Sequence, residues 1–388
     1  MRLAIDATAG LTDLVEAMHA RIARRPGRAA PLRDGRTSGV TGAVYRTIRG
    51  VTRVVGSSTN SLLGLAAPAP FAQEPVPGRE AAVAALNGVL GDHLAATANP
   101  LATPMTFRRK GRALELNAPA LSAQVPGASG KLLVMIHGLC MNDLQWTREG
   151  HDHGAALGRA LGFTPLYLLY NSGLHVSVNG RALSRQLEQL VDQWPRPVER
   201  IALLGHSMGG LLARSALHQA VQAAQRWPER LSDMLFLGTP HHGAPLERAG
   251  NWIDIVLGAA PYAAPLARLG QVRSAGITDL RHGNLLDDDW IGHDRFARHA
   301  DRRQPVPLPS GVRCFAVAAS IGERRGDAKE RVLGDGLVPL ASALGQHRDP
   351  ARCLEFAPDR QWIGRGINHL DLLKDQDVAA QLLRWLGR

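Results

Sequence analysis

Lysine is nearly missing from this chain. Of 45 basic residues only Lys110, Lys131, Lys329 and Lys374 are lysines; the rest are arginines. The formal net charge is still +11, a balance that can mark affinity for nucleic acid or anionic lipid. Aromatics are sparse as well, and the arginines are scattered, with no basic run interleaved with aromatic residues. Nucleic-acid binding therefore finds no support, and a soluble protein rich in arginine is expected. Cysteine is scarce. Cys140, Cys314 and Cys353 cannot make a disulfide framework, so no oxidising compartment is required. Cys314 and Cys353 read as strand residues and as buried neighbours. No stretch has the length and purity of a membrane span. The start, MRLAIDATAGLTDLVEA, is interrupted by Asp6 and Asp13 and does not read as a secretory signal. A cytoplasmic protein is expected.

What is present falls into two regions. Residues 1–100 read as a helical N-terminal extension, with helical candidates at Leu11–Ala23 and Glu80–Ala96 and a linker, APAPFAQEPVPG, between them. Up to Arg53 this region carries ten arginines against four acids. That leaves open peripheral membrane or partner contact through residues 1–65, beside simple packing on the main domain. From about Met105, short apolar runs alternate with helical segments. Leu132–Ile136, Pro165–Tyr170, Ile201–Leu204, Met234–Leu237, Val312–Ala319 and Cys353–Phe356 read as strands. Helices are expected near Arg181–Trp194 and from Met208 to about Arg226. The alternation predicts an α/β fold over 101–388, with a mostly parallel central sheet and helices on both faces. The stretch at about 244–309 is too long for a plain loop and reads as a helical cap, or lid.

Gly205-His206-Ser207-Met208-Gly209 fits the pattern G-x-S-x-G, after an apolar strand and before a helix. A nucleophilic serine on so sharp a turn needs an unusual backbone angle and small neighbours. It also lies at a helix N-terminus, where free N–H groups stabilise negative charge. Three further stretches suit such a serine. VMIHGL, Val134–Leu139, ends a strand where the N–H of Leu139, with that of Met208, would form an oxyanion hole; an ordinary strand-end turn is the alternative. Gly334-Asp335-Gly336 places an aspartate after the strand Val312–Ala319, to orient a histidine or simply to make a turn. Asp287, Asp288 and Asp289 compete with it but lie in the expected cap. His369, in INHLD, is the candidate general base. Ser207, Asp335 and His369 follow the chain order Ser…Asp…His of this sheet architecture. His206 reads as the variable residue of the elbow, and His241 and His242 of LGTPHHGAP as shaping a loop beside the site.

From about Lys131 onward, VMIHGL, GHSMGG, LGTPHHG, DGLVP and NHLDLL stand in an order that resembles the serine lipases and esterases of the α/β-hydrolase superfamily. The chain is most similar to bacterial lipase-like members and to proteins of the inositol-deacylase-like group. The resemblance implies the α/β-hydrolase fold, with hydrolysis of a small-molecule or lipid carboxylic ester through an acyl-serine. It implies no redox or nucleotide cofactor. Some bacterial lipases of similar pattern hold a structural calcium through the aspartate just after the catalytic histidine, and Asp371 matches that position. Trp252, Ile253, Val256 and Leu257 read as an acyl pocket or lid lining, or equally as cap core. An acyltransferase or thioesterase on the same triad, or a scaffold docked by the basic N-terminal helices, are the alternatives to ester hydrolysis.

Overall fold

The computed structural model describes residues 77–244, 274–293, 301–323 and 334–388. The expected helix Leu11–Ala23, the basic surface of residues 1–65 and the apolar stripe Trp252, Ile253, Val256 and Leu257 lie outside the described residues. The chain divides into two compact units, one of Glu74–Asp92 with Thr103–Arg388, the other of residues 1–73 with His93–Ala102. In the second, the described stretch is a helix end closed by turns, with Thr97 Oγ1 donating to His93 O at 2.8 Å.

The larger unit is built on eight strands: β1 Thr106–Arg109, β2 Arg112–Ala113, β3 Lys131–Ile136, β4 Thr164–Leu169, β5 Arg200–His206, β6 Leu231–Leu237, β7 Arg313–Ser320 and β8 Gln361–Arg365. Their order across the sheet is β2-β1-β4-β3-β5-β6-β7-β8. From β4 to β8 every pairing is parallel. The strands Leu132–Ile136 and Ile201–Leu204 are wholly buried, as continuous apolar runs must be when both sheet faces are covered. One face carries the helices His153–Leu161 and Gln376–Leu386, whose Leu157, Val378, Leu382 and Trp385 pack with Leu133, Met135, Ala202, Leu204, Phe315 and Val317. The amphipathic helices Val176–Gln193 and Met208–Gln222 pack on one another.

The sheet departs from expectation at both edges. β1 and β2 form an antiparallel hairpin at the sheet edge. Its two-residue loop, Lys110-Gly111, has positive φ at both positions (50° and 74°), the geometry that matches strand twist. The last strand is Gln361–Arg365, paired with β7; Cys353–Phe356 is not a strand of the sheet. That run is hemmed between Pro350 and Pro358, which open separate 3-10 turns, and Leu354 N–H bonds Gly345 O at 2.8 Å instead of a neighbouring strand. Cys314 is accordingly buried on β7 while Cys353 is half-buried after a turn, and all three cysteines are free.

At the base of the sheet, the fully buried Asp233 is held by Arg200 Nη2 at 2.7 Å and Arg313 Nη2 at 2.6 Å. A buried carboxylate is tolerable only with such partners. They fix the starts of β5, β6 and β7, and so the heights at which the other ends emerge. Among the described residues of the long β6–β7 connection, Ala275–His282 is helical, capped by Ser274 and ended by Gly283 in the left-handed region. The helix Pro77–Ala96 contributes Gly88, whose carbonyl accepts from Ser274 Oγ at 2.6 Å.

Candidate active site

β5 ends at His206, and the helix Met208–Gln222 begins two residues later. Ser207 between them has φ 55° and ψ −123°, a conformation that costs a non-glycine residue about 1–3 kcal/mol. Its N–H donates to Leu237 O at 2.8 Å, which ties the turn to the end of β6. The flanking glycines are explained by contact. A Cβ on Gly205 would lie 2.5 Å from Gly210 N, and one on Gly209 would lie 2.1 Å from Ile136 O. No side chain fits at either place, because the helix is driven directly against β3 and its own strand.

Asp335 and His369 meet at the ends of two separate loops. His369 Nδ1 lies 2.6 Å from Asp335 Oδ2, and His369 N–H donates to Asp335 O at 3.0 Å. The other carboxylate oxygen, Oδ1, accepts from the N–H groups of Leu337 and Val338 at 2.9 and 2.8 Å. With the carboxylate fully used as acceptor, the imidazole proton sits on Nδ1 and Nε2 keeps its lone pair. His206 is fully buried, and burial holds its pKa well below the usual histidine range. Its Nε2 donates to His369 O at 3.1 Å, so the elbow's variable residue positions the backbone of His369.

The turn after β3 is fixed from three sides. Tyr170 Oη donates to His137 O at 2.8 Å, His137 Nδ1 donates to Gly138 O at 2.8 Å, and Cys140 N–H donates to Ser172 Oγ at 3.0 Å. Cys140 itself has φ 59°. Among the described residues the N–H groups of Leu139 and Met208 have no hydrogen-bond partner. Two free donors thus stand on either side of Ser207, one at the turn and one at the first position of the helix. A Cβ on Gly138 would lie 3.0 Å from Ser207 Cβ, so the turn and the serine are in close approach.

Ser207 and His369 line the same small cavity, whose apolar wall is made by Leu139, Met141, Leu280, Leu337, Val338 and Leu370. Of these only Leu139 was singled out from sequence. Leu337, Val338 and Leu370 follow directly on Asp335 and His369, so the motif positions pointed to them. Leu280, from the β6–β7 connection, and Met141 carried no signal. Asp287 is elsewhere, taken by Ser177 Oγ at 2.6 Å and Arg181 Nη1 at 2.5 Å. Asp289 bonds the N–H groups of Leu285 and Leu286. Asp371 accepts from Asn368 N–H at 3.0 Å and faces Lys374 Nζ at 3.5 Å. Among the described residues no three His, Cys, Asp or Glu gather to hold a metal, and Asp371 serves a turn. Nor is any described helix long and apolar enough to cross a membrane.

A mostly parallel eight-stranded sheet with a serine on the turn after its fifth strand, and an acid and a histidine on later loops, is the α/β-hydrolase fold. In keeping with this, residues 127–305 match the family model described as "PGAP1-like alpha/beta domain". The chain is similar to several solved structures. The mature form of Bacillus licheniformis lipase BlEst2 is 17% identical, with 67% of this chain and 92% of that one covered and a TM-score of 0.41. Aspergillus fumigatus lipase B is 10% identical, with 71% and 59% covered and a TM-score of 0.41. Pyrococcus furiosus esterase Pf2001 is 13% identical, with 68% and 82% covered and a TM-score of 0.38. No curated protein matches the sequence.

Proposed function

We propose that the protein is a serine hydrolase that cleaves carboxylic esters through an acyl-serine at Ser207. The observation that carries this reading is the shared cavity of Ser207 and His369, with the His369 ring locked by Asp335 into the tautomer that leaves Nε2 basic. In the proposed reaction His369 Nε2 takes the Ser207 hydroxyl proton as Oγ attacks the acyl carbonyl. The oxyanion is stabilised by the N–H groups of Leu139 and Met208. His369 returns the proton to the leaving alcohol. Water, deprotonated by the same imidazole, then releases the acid and restores Ser207. Asp335 holds the ring and stabilises the imidazolium without taking the proton itself. The apolar cavity wall favours an acyl group over a charged one.

The test is hydrolysis of p-nitrophenyl esters from acetate to palmitate by the full chain and by Ser207→Ala, with a fluorophosphonate probe on the same samples. Turnover and labelling by wild type, both lost in the variant, support the reading, and the chain-length profile separates esterase from lipase. Labelling without ester turnover would overturn ester hydrolysis and turn attention to thioesters or acyl transfer, which added alcohols would reveal as new ester products. Absence of both would sink the nucleophile assignment.

A further inference from the structure

A second cavity, of about 220 Å³, is lined by Arg214, His241, His242, Asp289, Arg303 and Arg352, among others, and by none of the residues around Ser207. Its three arginines are not equivalent. Arg303 and Arg352 share Asp301, with Arg303 Nη2 at 2.7 Å and Arg352 Nη1 at 3.4 Å from its carboxylate. Arg352 Nε also lies 3.4 Å from Asp349, so each of these two arginines faces a carboxylate. Arg214 lies on the helix Met208–Gln222, about two turns past Ser207, and only 6% of its surface is exposed. Among the described residues no carboxylate pairs with it. Its Nη2 donates to Val306 O and its Nη1 faces His241 Nδ1 at 3.3 Å, while Nε, also buried, has no partner.

A guanidinium has no acceptor, so His241 Nδ1 must accept and the His241 proton lies on Nε2. That Nε2 is buried and unpartnered as well. Two buried N–H donors on residues that line the cavity are therefore unsatisfied, beside a cation that no described carboxylate touches. Burial lowers the Arg214 pKa to about 10, which leaves it charged at neutral pH. The one acid in the lining, Asp289, favours the Arg214 charge from a distance but makes no contact with it. Its Oδ2 accepts from the N–H groups of Leu285 and Leu286, at 2.8 and 2.9 Å, and its Oδ1 from Gln304 N–H at 3.0 Å. Water would satisfy the donors but leave the charge without a direct anionic partner, and the cavity is far larger than a single water needs. An oxyanion meets both demands, since charge-assisted bonds to arginine are among the stronger polar contacts.

We propose that this cavity is a second ligand site, distinct from the Ser207 cavity, which binds a small oxyanion group, phosphate or carboxylate, on Arg214 and His241. The proposal does not depend on the reaction assigned to Ser207.

The experiment is isothermal titration of the full chain with sodium phosphate and, separately, sodium acetate, against sodium chloride at matched ionic strength. Wild type is compared with Arg214→Gln and Ala351→Leu, with folding checked by circular dichroism. Ala351 lines the cavity from an exposed position, so the larger residue narrows the site without touching Arg214. Saturable binding is expected for wild type, at least about tenfold weaker in both variants. Binding of phosphate alone assigns a phosphate group, and binding of acetate alone a carboxylate. Binding of both assigns the oxyanion without further choice. Should Arg214→Gln not fold, the loss in Ala351→Leu decides. Heats equal to the chloride control with both anions overturn the site, as does binding that Ala351→Leu leaves unchanged.

Discussion

His369 Nδ1 and Asp335 Oδ2 stand 2.6 Å apart, both side chains buried, and joined a second time by the bond from His369 N–H to Asp335 O. The carboxylate therefore fixes the ring's tautomer as well as its place. In Asp335→Asn the amide can present its N–H₂ to the ring and hold the proton on Nε2, which turns the imidazole from acceptor to donor at Ser207. On the proposed reaction, kcat for p-nitrophenyl acetate should fall by about three to four orders of magnitude with KM little changed. A loss of less than tenfold would place the acid elsewhere.

Ser207 supplies a second, opposite pair of effects. Its φ of 55° is strained for any side chain and free for glycine. Ser207→Gly should raise unfolding free energy by about 1 kcal/mol, and Ser207→Ala, which keeps the Cβ, should not. Both should abolish ester turnover. Urea unfolding of the three proteins reads the first effect, and equal stability of Gly and Ala variants would contradict the strain argument.

The buried histidines set a pH limit. Burial lowers the pKa of His137 and of His153 to about 4. The unfolded chain, at about 6.5, takes up these protons first. Stability is then complete above pH about 6.5, falls as pH drops toward 4, and levels below that, where the folded protein also binds the proton. Each histidine contributes about 3 kcal/mol at most across this window. Urea midpoints should thus decline steadily from pH 7 to pH 4.5. His153→Gln should flatten that decline; an unchanged slope would mean that His153 titrates normally in the folded state.

Much of this site was legible because its residues are tied to backbone geometry. Gly205 and Gly209 stand where no Cβ fits, Asp335 sits in a glycine-flanked turn, and His369 follows the last strand. The order of these elements is a property of the sheet and could be read from the chain. The parts that escaped reading are those made by distant contact. β1 and β2 are short, polar-flanked edge strands without alternation. Cys353–Phe356 has the composition of a strand, but its prolines and the Gly345 contact hold it off the sheet. Leu280 enters the cavity wall only because the β6–β7 connection folds back over it, and the environment of Arg214 arises from residues up to about 140 positions away in sequence.

The helix Pro77–Ala96 provides the last prediction, since it reaches the turn after β3 directly. A Cβ on Gly88 would lie 2.8 Å from both the N and the Cα of Cys140, and Cys140 is the residue after Leu139. The obstruction is backbone, so no side-chain rotation can relieve it, and either the helix or the turn must shift. Gly88→Ala should destabilise the protein by about 1–3 kcal/mol, although alanine favours a helix over glycine by about 1 kcal/mol. If the turn yields, then on the proposed reaction the Leu139 N–H moves away from the developing oxyanion and kcat falls by about 10–1000-fold, with KM affected less. If the helix yields, stability falls and kcat is preserved. Measuring both quantities on one variant therefore tells which of the two elements is the stiffer, and an unchanged protein would show that the contact is not close in solution.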